Sequence, residues 1–219
     1  MCEIIIFGSG EIAQLAKYYF DTDSGYEVVG FCVDKDYRLG DSFEGLPLVD
    51  FEEIDKIYSH EEYKMFIALS YSEMNEIRER KYHEAKEKGY ELVSYISSKC
   101  SYLSQFSCGD NCFILEDNTI QPFVKIGSNV TLWSGNHIGH HSELKNHIFI
   151  SSHVVISGHC IVNSNVFLGV NSTVGHAVNI AKGTLLGAST IITKDTEEGA
   201  VYVPQRSVKL DKISYDIKL

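Results

Sequence analysis

Histidine is concentrated in one part of this 219-residue chain. An imidazole can take up a proton near neutral pH or ligate a metal ion, so a group of histidines marks a place where such chemistry is possible. Seven of the nine histidines lie in one segment of the second half: His137, His140, His141, His147, His153, His159 and His176. The pattern points to a reactive site in that half of the chain.

A second group of residues, near the beginning of the chain, is typical of anion binding. Residues 8–13 read Gly-Ser-Gly-Glu-Ile-Ala, a G-x-G-x-x-A turn between an apolar strand and a helical stretch. Glycines let the backbone approach a phosphate, and the helix start offers free N–H groups. An acidic residue that ends the next strand can accept hydrogen bonds from ribose hydroxyls. We expect a nucleotide diphosphate site formed by Gly8, Ser9, Gly10, Asp34 and Lys35. A tight turn without ligand is the alternative, and NAD lacks room for its second mononucleotide half.

The elements that must position the histidines repeat every sixth position. Ile, Leu or Val stands at fourteen successive anchor positions six apart, from Ile114 to Ile192. This period fits a triangular parallel β-helix, in which each hexad makes one short strand and one corner. Ile96 and Tyr102 are in phase, so the register can begin a coil earlier. Small or β-branched residues, suited to a narrow interior, stand two before most anchors: Val124, Val130, Ser142, Val154, Cys160, Val166, Ser172, Val178, Thr184 and Thr190.

The number of residues in each coil predicts which residues lie above one another, and so where each histidine lies. Three hexads close one coil, so each residue lies below the residue three hexads later. This places His140 under Gly158 and His141 under His159, with the His140 side chain near a corner and directed outward. A base beside a backbone N–H suits acyl transfer, because the N–H can hold the oxyanion that develops on a carbonyl. Corner packing or subunit contacts are the expected role of His147, His153 and His159.

Alternating apolar strands and helical stretches in the first half predict a small parallel α/β domain. Strands are expected at residues 3–7, 26–33, 65–69 and 92–95, with helices after residue 10 and over 73–88. The chain then divides into three parts: a Rossmann-like α/β domain at residues 1–95, an all-β parallel β-helix at 96–192 and a polar tail at 193–219.

Charge and composition exclude several classes of protein. The net charge of −11 comes from residues 1–95, with 21 acidic and 10 basic side chains, whereas residues 96–219 carry nine of each. An acidic first half argues against nucleic acid and anionic membranes as partners. We expect a soluble cytoplasmic protein, because the sequence shows neither a leader nor an apolar run of ~20 residues. Six scattered cysteines predict reduced, mostly buried thiols.

With these parts in this order, the chain resembles the sialic acid O-acetyltransferase and bacillosamine N-acetyltransferase group. Members of that group join a small Rossmann-like domain to a left-handed β-helix of hexapeptide repeats. The resemblance covers nearly the whole chain, and its most specific motifs are Ile138-Gly139-His140-His141-Ser142, Ser157-Gly158 and Phe167-Leu168-Gly169-Val170-Asn171. It implies transfer of acetyl from acetyl-CoA to a UDP- or dTDP-linked sugar in bacterial glycan or lipopolysaccharide synthesis. An amine acceptor is favoured over a hydroxyl.

The resemblance also assigns roles to individual residues. The base falls on His140, and the amide that polarises the acetyl carbonyl falls on Gly158. The family's orienting carboxylate position holds His141, so which of the two imidazoles is the base stays open, and either His141 or Glu143 is the expected partner of His140. The implied contacts of acetyl-CoA are Gly158, Gly169, Gly187, Pro204 and Arg206, where Tyr202-Val203-Pro204-Gln205-Arg206 replaces the family's Gly-x-Pro-Ala-Lys ending. The loop after the third strand adds Ser70 and Tyr71 to the nucleotide site.

Two other classes of function remain open. A metal hydratase of the γ-carbonic-anhydrase kind is also a β-helix trimer, and its three histidines bind Zn²⁺ across a subunit interface. The other alternative is a hexapeptide scaffold without catalytic activity. We expect no metal, because such hydratases need no nucleotide-binding domain. Only six of the residues between Ile114 and Ile192 are charged, and weakly charged, apolar faces predict a homotrimer.

Overall fold

The computed structural model describes residues 2–207, 209 and 211. Its first part contains β1 (Cys2–Phe7), α1 (Glu11–Asp23), β2 (Tyr26–Val33), β3 (Ser42–Phe43), β4 (Leu46–Asp50), β5 (Lys64–Ile67) and α2 (Glu76–Glu87). The strands form one sheet in the order β3-β4-β2-β1-β5, parallel except between β3 and β4. Apolar side chains of β1, such as Ile4 and Ile5, are fully buried. The first part is therefore a small α/β unit built around β1.

The strands expected at residues 3–7 and 26–33 are confirmed, whereas two others differ. The strand expected at residues 65–69 begins at Lys64 and ends at Ile67. The strand expected at residues 92–95 is wrong, because Leu92 forms only an isolated bridge with Met65. From Tyr95 onward the chain already belongs to the second part. The β3–β4 hairpin was not predicted.

The helix expected at residues 73–88 begins at Glu76 instead. Glu73, Met74 and Asn75 have positive φ angles, between 50° and 71°, which interrupt helical geometry. The side chain of Asn75 donates a hydrogen bond of 3.2 Å to the carbonyl of Val166, far along the chain. A tertiary contact therefore decides where α2 begins.

The second part is a stack of short strands. They are β6 (Tyr95–Ile96), β7 (Ser101–Tyr102), β8 (Phe113–Ile114), β9 (Thr119–Ile120), β10 (Lys125–Ile126), β11 (Thr131–Leu132), β12 (His137–Ile138), β13 (Glu143–Leu144), β14 (Phe149–Ile150), β15 (Val155–Ile156), β16 (Ile161–Val162), β17 (Phe167–Leu168), β18 (Thr173–Val174), β19 (Asn179–Ile180), β20 (Leu185–Leu186), β21 (Ile191–Ile192) and β22 (Val201–Tyr202). The β-helix has three faces. Face 1 contains β6, β8, β11, β14, β17, β20 and β22; face 2 contains β7, β9, β12, β15, β18 and β21; and face 3 contains β10, β13, β16 and β19.

The register within each face advances by three hexads per coil, as the sequence predicts. Leu132, for example, lies opposite Ile114 on one side and Ile150 on the other. All fourteen anchors and all ten small or β-branched residues two positions before them are buried, which confirms the predicted interior. Beyond Ile192, where the sequence predicts a tail, Tyr202 pairs with Leu186 and adds a strand to face 1.

The third residue after each anchor except the last, Ile192, turns the corner with a left-handed backbone. From Asp117 to Ser189 these residues have φ angles between +56° and +77°. Asparagine, aspartate and histidine adopt this conformation more readily than other non-glycine residues. Four histidines occupy such positions: His141, His147, His153 and His159. Corner geometry therefore accounts for much of the histidine cluster, as expected for a packing role.

The two parts pack together through α2 and through the segment that precedes it. Arg78 is 2% exposed and lies against face 1, where it donates hydrogen bonds to the hydroxyl of Thr131 and, at 3.1 Å, to the carbonyl of Ile148. Tyr71 packs on Phe167, with ring centres 4.5 Å apart. These contacts attach the α/β unit to one face of the β-helix. Among the residues that the structure describes, neither helix is long and apolar enough to cross a membrane.

Candidate active site

His140 lies at the corner between faces 2 and 3, with its side chain exposed. A methyl group on Gly158 would lie 2.9 Å from Cε1 and 3.0 Å from Nε2 of His140, so the imidazole lies directly against Gly158. Gly158 is buried, and its N–H has no hydrogen-bond partner within the described part of the chain. An N–H that has no partner within the fold is available to donate a hydrogen bond to a bound group. The corner therefore joins a proton acceptor to a donor that can hold an oxyanion.

The imidazole of His140 contacts a second imidazole. Nδ1 of His140 lies 3.0 Å from Nδ1 of His141, within hydrogen-bond distance. The backbone N–H of His140 donates a hydrogen bond of 2.8 Å to Oε1 of Gln121, one coil below. Glu143 instead forms an ion pair of 2.6 Å with Lys145. Of the two partners that the sequence leaves open, the structure brings His141 to His140.

Among the residues that the structure describes, two groups of side chains each bring three metal-ligating atoms within 4.8 Å of one another. The first group is His140, His141 and His159. The rings of His141 and His159 are stacked, 8° from parallel with centres 4.9 Å apart. A ring nitrogen binds a metal through a lone pair in the ring plane, and the lone pairs of stacked rings run side by side. They do not converge on one ion.

The second group is Glu79, His83 and His147, and a chain of hydrogen bonds determines the tautomer of His147. The Ile67 N–H donates to Oδ1 of Asn111, whose Nδ2 donates to Oδ1 of Asn129. The Asn129 amide nitrogen therefore faces Nδ1 of His147 at 2.9 Å, so Nδ1 accepts and Nε2 carries the proton. Nε2 then donates toward Oε1 of Glu79, 3.4 Å away, and has no lone pair for a metal.

The α/β unit contains a cavity of about 330 Å³ at the carboxyl ends of β1, β2 and β5. The expected residues that line it are Gly8, Ser9, Gly10, Asp34 and Ser70, and residues that the sequence reasoning missed are Tyr37, Ser72, Arg80 and Lys81. Gly8 has a φ angle of +132°, and a Cβ there would lie 2.8 Å from the carbonyl oxygen of Ala68. Only glycine fits this turn, and it brings the floor of the cavity close to β5.

Two of the expected nucleotide residues lie outside this cavity. Lys35 has its backbone N–H bonded to the carboxylate of Glu52 at 3.1 Å. Tyr71 instead lines a neighbouring cavity of about 220 Å³ with Trp133 and Phe149. Ser70 lines both cavities, so the two spaces adjoin.

Two cations of α2, Arg80 and Lys81, line the cavity of about 330 Å³, and both lie close to carboxylates. Lys81 donates hydrogen bonds of 2.6 Å to Asp34 and to Glu84. Burial lowers the pKa of Lys81, but the bonds to these two carboxylates outweigh burial and raise it. The Arg80 side chain is 59% exposed and lies 3.9 Å from Glu84. The sequence could have indicated that both cations lie near this cavity, because the helix after the third strand flanks the same sheet edge as the glycine turn.

The residues expected at the acetyl-CoA site lie on two edges of the β-helix. Gly169 and Gly187 stand one coil apart at the corner between faces 1 and 2, and a Cβ on Gly169 would lie 2.8 Å from the backbone of Gly187. Pro204 and Arg206 follow β22 and are exposed. Gly158 lies at the corner between faces 2 and 3. Within one chain the structure does not bring Gly158 together with the other four.

Comparisons with known proteins define the fold class. The GMPPB C-terminal domain family matches residues 108–216. No curated protein sequence matches the chain. The acetyltransferase domain of PglB from Neisseria gonorrhoeae FA1090 superposes with a TM-score of 0.79 at 18% identity, covering 93% of this chain and 97% of that one.

Two further solved structures cover almost the whole chain. A histidine-to-asparagine mutant of perosamine N-acetyltransferase from Caulobacter crescentus, in complex with CoA and GDP-perosamine, has a TM-score of 0.82 at 19% identity, covering 93% of this chain and 94% of that one. WeeI from Acinetobacter baumannii AYE has a TM-score of 0.71 at 16% identity, covering 92% and 97%. The chain thus has the fold of a left-handed hexapeptide β-helix protein. The solved structures that it resembles are bacterial sugar N-acetyltransferases.

Proposed function

We propose that this protein is an acetyl-CoA-dependent N-acetyltransferase that acts on a nucleotide-linked amino sugar. The observation that carries the proposal is the contact between His140 and Gly158, which joins a base to an unpartnered N–H donor. The Caulobacter protein of the same fold was crystallised with CoA and GDP-perosamine, and the Neisseria domain with acetyl-CoA. These complexes support acetyl-CoA and a nucleotide-linked amino sugar as the two substrates of this protein. A reaction of this kind belongs to bacterial glycan synthesis in the cytoplasm.

The chemistry follows from the two groups at the corner. The acceptor amine loses a proton to Nε2 of His140 and attacks the thioester carbonyl of acetyl-CoA. The Gly158 N–H stabilises the tetrahedral oxyanion, a kind of donor worth about 2.7–4 kcal/mol in acyl transfer. The C–S bond then breaks, and the departing CoA thiolate takes the proton back from His140. The products are the acetylated amine and CoA.

The α/β unit, residues 1–95, is proposed to be a Rossmann-like domain that holds the nucleotide. Backbone N–H groups of the glycine turn and the start of α1 face the cavity of about 330 Å³. Arg80 and Lys81 line the same cavity beside the carboxylates of Asp34 and Glu84, and their remaining N–H groups can donate hydrogen bonds to a diphosphate. Asp34 keeps one carboxylate oxygen for a ribose hydroxyl, since only Oδ1 is bonded to Lys81. The adjoining cavity, with its aromatic lining, is the place for the sugar. Lys35 and Tyr71 then act at the margin of the site.

The β-helix, residues 96–192, is proposed to be the acyltransferase domain of a homotrimer. Outward side chains of faces 2 and 3 include exposed Val155, Ile161 and Ile191, apolar surface that a partner can cover. Gly158 lies on the edge between faces 2 and 3, whereas Gly169 and Gly187 lie on the edge between faces 1 and 2. Acetyl-CoA can touch both only in a groove between neighbouring β-helices. Residues from two subunits therefore complete each site.

The test is an acetylation assay with purified protein, acetyl-CoA and a panel of UDP-, dTDP- and GDP-linked amino sugars, with free CoA thiol and product mass as readouts. We expect one nucleotide sugar to gain a single acetyl group. His140→Ala should lower kcat by about 10²–10⁴ with nucleotide binding intact, and His141→Ala should lower it less. Absence of acetylation with every acceptor, or full activity of His140→Ala, would contradict the proposal. Acetylation of the matching hydroxyl sugars alone would make it an O-acetyltransferase.

A further inference from the structure

The hydrogen bond between His140 and His141 requires defined tautomers. Two neutral imidazoles form a hydrogen bond between their Nδ1 atoms only if one Nδ1 is protonated and donates, and the other is unprotonated and accepts. A base that receives a proton at Nε2 carries its own proton on Nδ1. His140 is therefore the donor of this bond and His141 the acceptor. His141 thus has the role that a carboxylate has in other acid–base pairs. It fixes the tautomer of His140 and accepts a hydrogen bond from its imidazolium.

An imidazole acceptor depends on orientation more strongly than a carboxylate does. Nδ1 has one lone pair, which lies in the ring plane, whereas a carboxylate offers several. The His141 side chain is exposed, so contacts with neighbouring rings must fix its plane. Two rings do so: Phe123, with its centre 4.6 Å away, and His159, at 4.9 Å. Phe123, His141 and His159 occupy the same left-handed corner position on successive coils.

We propose that His159 is a positioning residue for acetyl transfer, which stacks on His141 and keeps its Nδ1 directed at Nδ1 of His140. The inference rests on the proposed function, because it takes His140 as the base. The ring of His159 is nearly parallel to that of His141, at 8°, and meets the ring of His140 edge on, with centres 5.1 Å apart. One side chain thus contacts both members of the pair.

The electrostatics of the corner agree with this role. Desolvation and the neighbouring imidazoles, His141, His140 and His176, lower the pKa of His159. A neutral ring stacks on His141 without opposing the positive charge that His140 acquires during the reaction. A positively charged side chain at this position would oppose the charge that His140 acquires. The chemistry therefore calls for a flat, neutral ring at position 159.

The test compares His159→Ala, which removes the ring, with His159→Phe, which keeps it. The matched control is His176→Ala, because His176 contacts His159 at 5.4 Å but is not part of the stack on His141. Steady-state kinetics give kcat and KM, and ¹⁵N–¹H NMR of the imidazole nitrogens gives the tautomers of His140 and His141. We expect His159→Ala to lower kcat about tenfold at unchanged KM for acetyl-CoA, because a small misplacement of a catalytic group is costly. The Nδ1–H signal of the pair should weaken, and His159→Phe and His176→Ala should retain both readouts.

Wild-type kcat and unchanged tautomers in His159→Ala would overturn the proposal. Equal loss in His159→Phe would overturn it as well, because the imidazole itself would then be required. The NMR readout needs no turnover, so it separates this inference from the proposed function. Suppose that the wild-type protein is inactive, but that NMR shows a fixed pair of tautomers for His140 and His141 that His159→Ala disrupts. This result would refute the proposed acetyltransferase function, while the positioning of His141 by His159 would stand.

Discussion

Arg78 and Arg80 stand two positions apart on α2 and have opposite surroundings. The Arg78 side chain is buried against face 1, where its hydrogen bonds go to Asn75, Thr131 and the carbonyl of Ile148. Burial lowers the pKa of Arg78 to about 10. Arg80 is exposed and lines the cavity beside the glycine turn, where a nucleotide is proposed to bind. One helix thus attaches the α/β unit to the β-helix and lines the cavity at the same time.

Arg78→Ala should destabilise the protein without a direct effect on the nucleotide site. The substitution leaves a cavity and removes donors from buried oxygen atoms, so we expect the free energy of unfolding to fall by about 2–4 kcal/mol. Urea unfolding followed by circular dichroism measures this change. Arg80→Ala is the matched control, with an expected change within about 0.5 kcal/mol. Equal stability of the two variants would show that Arg78 does not hold the interface.

Arg80→Ala should instead weaken nucleotide binding. An exposed guanidinium beside a diphosphate contributes a charge-assisted hydrogen bond, worth about 1.5–3 kcal/mol. We expect the Kd for the nucleotide diphosphate, measured by calorimetry, to rise at least tenfold. Binding of acetyl-CoA should stay the same, since Arg80 lies on the α/β unit. An unchanged Kd would place the diphosphate away from α2.

Gly158→Ala should reduce activity by displacing a catalytic side chain. The new methyl group would come within 3.2 Å of three atoms of the His140 ring, which is closer than real Cβ contacts normally are. His140 can rotate away because it is exposed, so the fold should tolerate the change while kcat falls by about 10². Gly40→Ala, where a Cβ would meet nothing within 4 Å, is the control. Normal turnover of Gly158→Ala would mean that the contact between His140 and Gly158 is not part of the site.

His147 should make stability dependent on pH. Burial lowers its pKa from 6.5 to about 4. As the pH falls, His147 is protonated in the unfolded chain before it is protonated in the folded protein. Its contribution to the free energy of unfolding is therefore present above pH 6.5 and is lost as the pH falls from 6.5 to 4. His147→Asn keeps the left-handed corner and extends the Asn111–Asn129 ladder without a titrating group. We expect urea unfolding at pH 7.5 and 5 to show a smaller loss for the variant than for wild type.

A second variant keeps this prediction open to refutation. His83 is more than half exposed on α2 and close to the same carboxylate, Glu79. His83→Asn should retain the wild-type loss of stability between pH 7.5 and 5. If His147→Asn loses as much as wild type, the pH dependence comes from other groups.

The nucleotide site shows how far the sequence reaches into the α/β unit. The glycine turn and Asp34 could be predicted from the residues, because strand ends and turns are local and lie at one sheet edge, and the family resemblance added Ser70. Arg80 and Lys81 were missed: the sequence places them on the helix after the third strand, but which positions of that helix face the cavity depends on how α2 packs against the sheet. Lys35 was expected in the cavity, yet its backbone turns toward Glu52. Spacing along a strand does not determine which way the chain turns after it.

The hexads by themselves determined the β-helix, its coil of three hexads, its buried anchors and the contact between His140 and Gly158. Each of these follows from a strictly periodic backbone, in which distance along the chain converts directly into position. Only the tertiary structure decided that Asn75 delays the start of α2, that Tyr202 extends face 1 beyond Ile192, and that Arg78 is buried against face 1. These outcomes depend on side chains that meet across separate coils or domains, where packing and hydrogen bonding outweigh local preference.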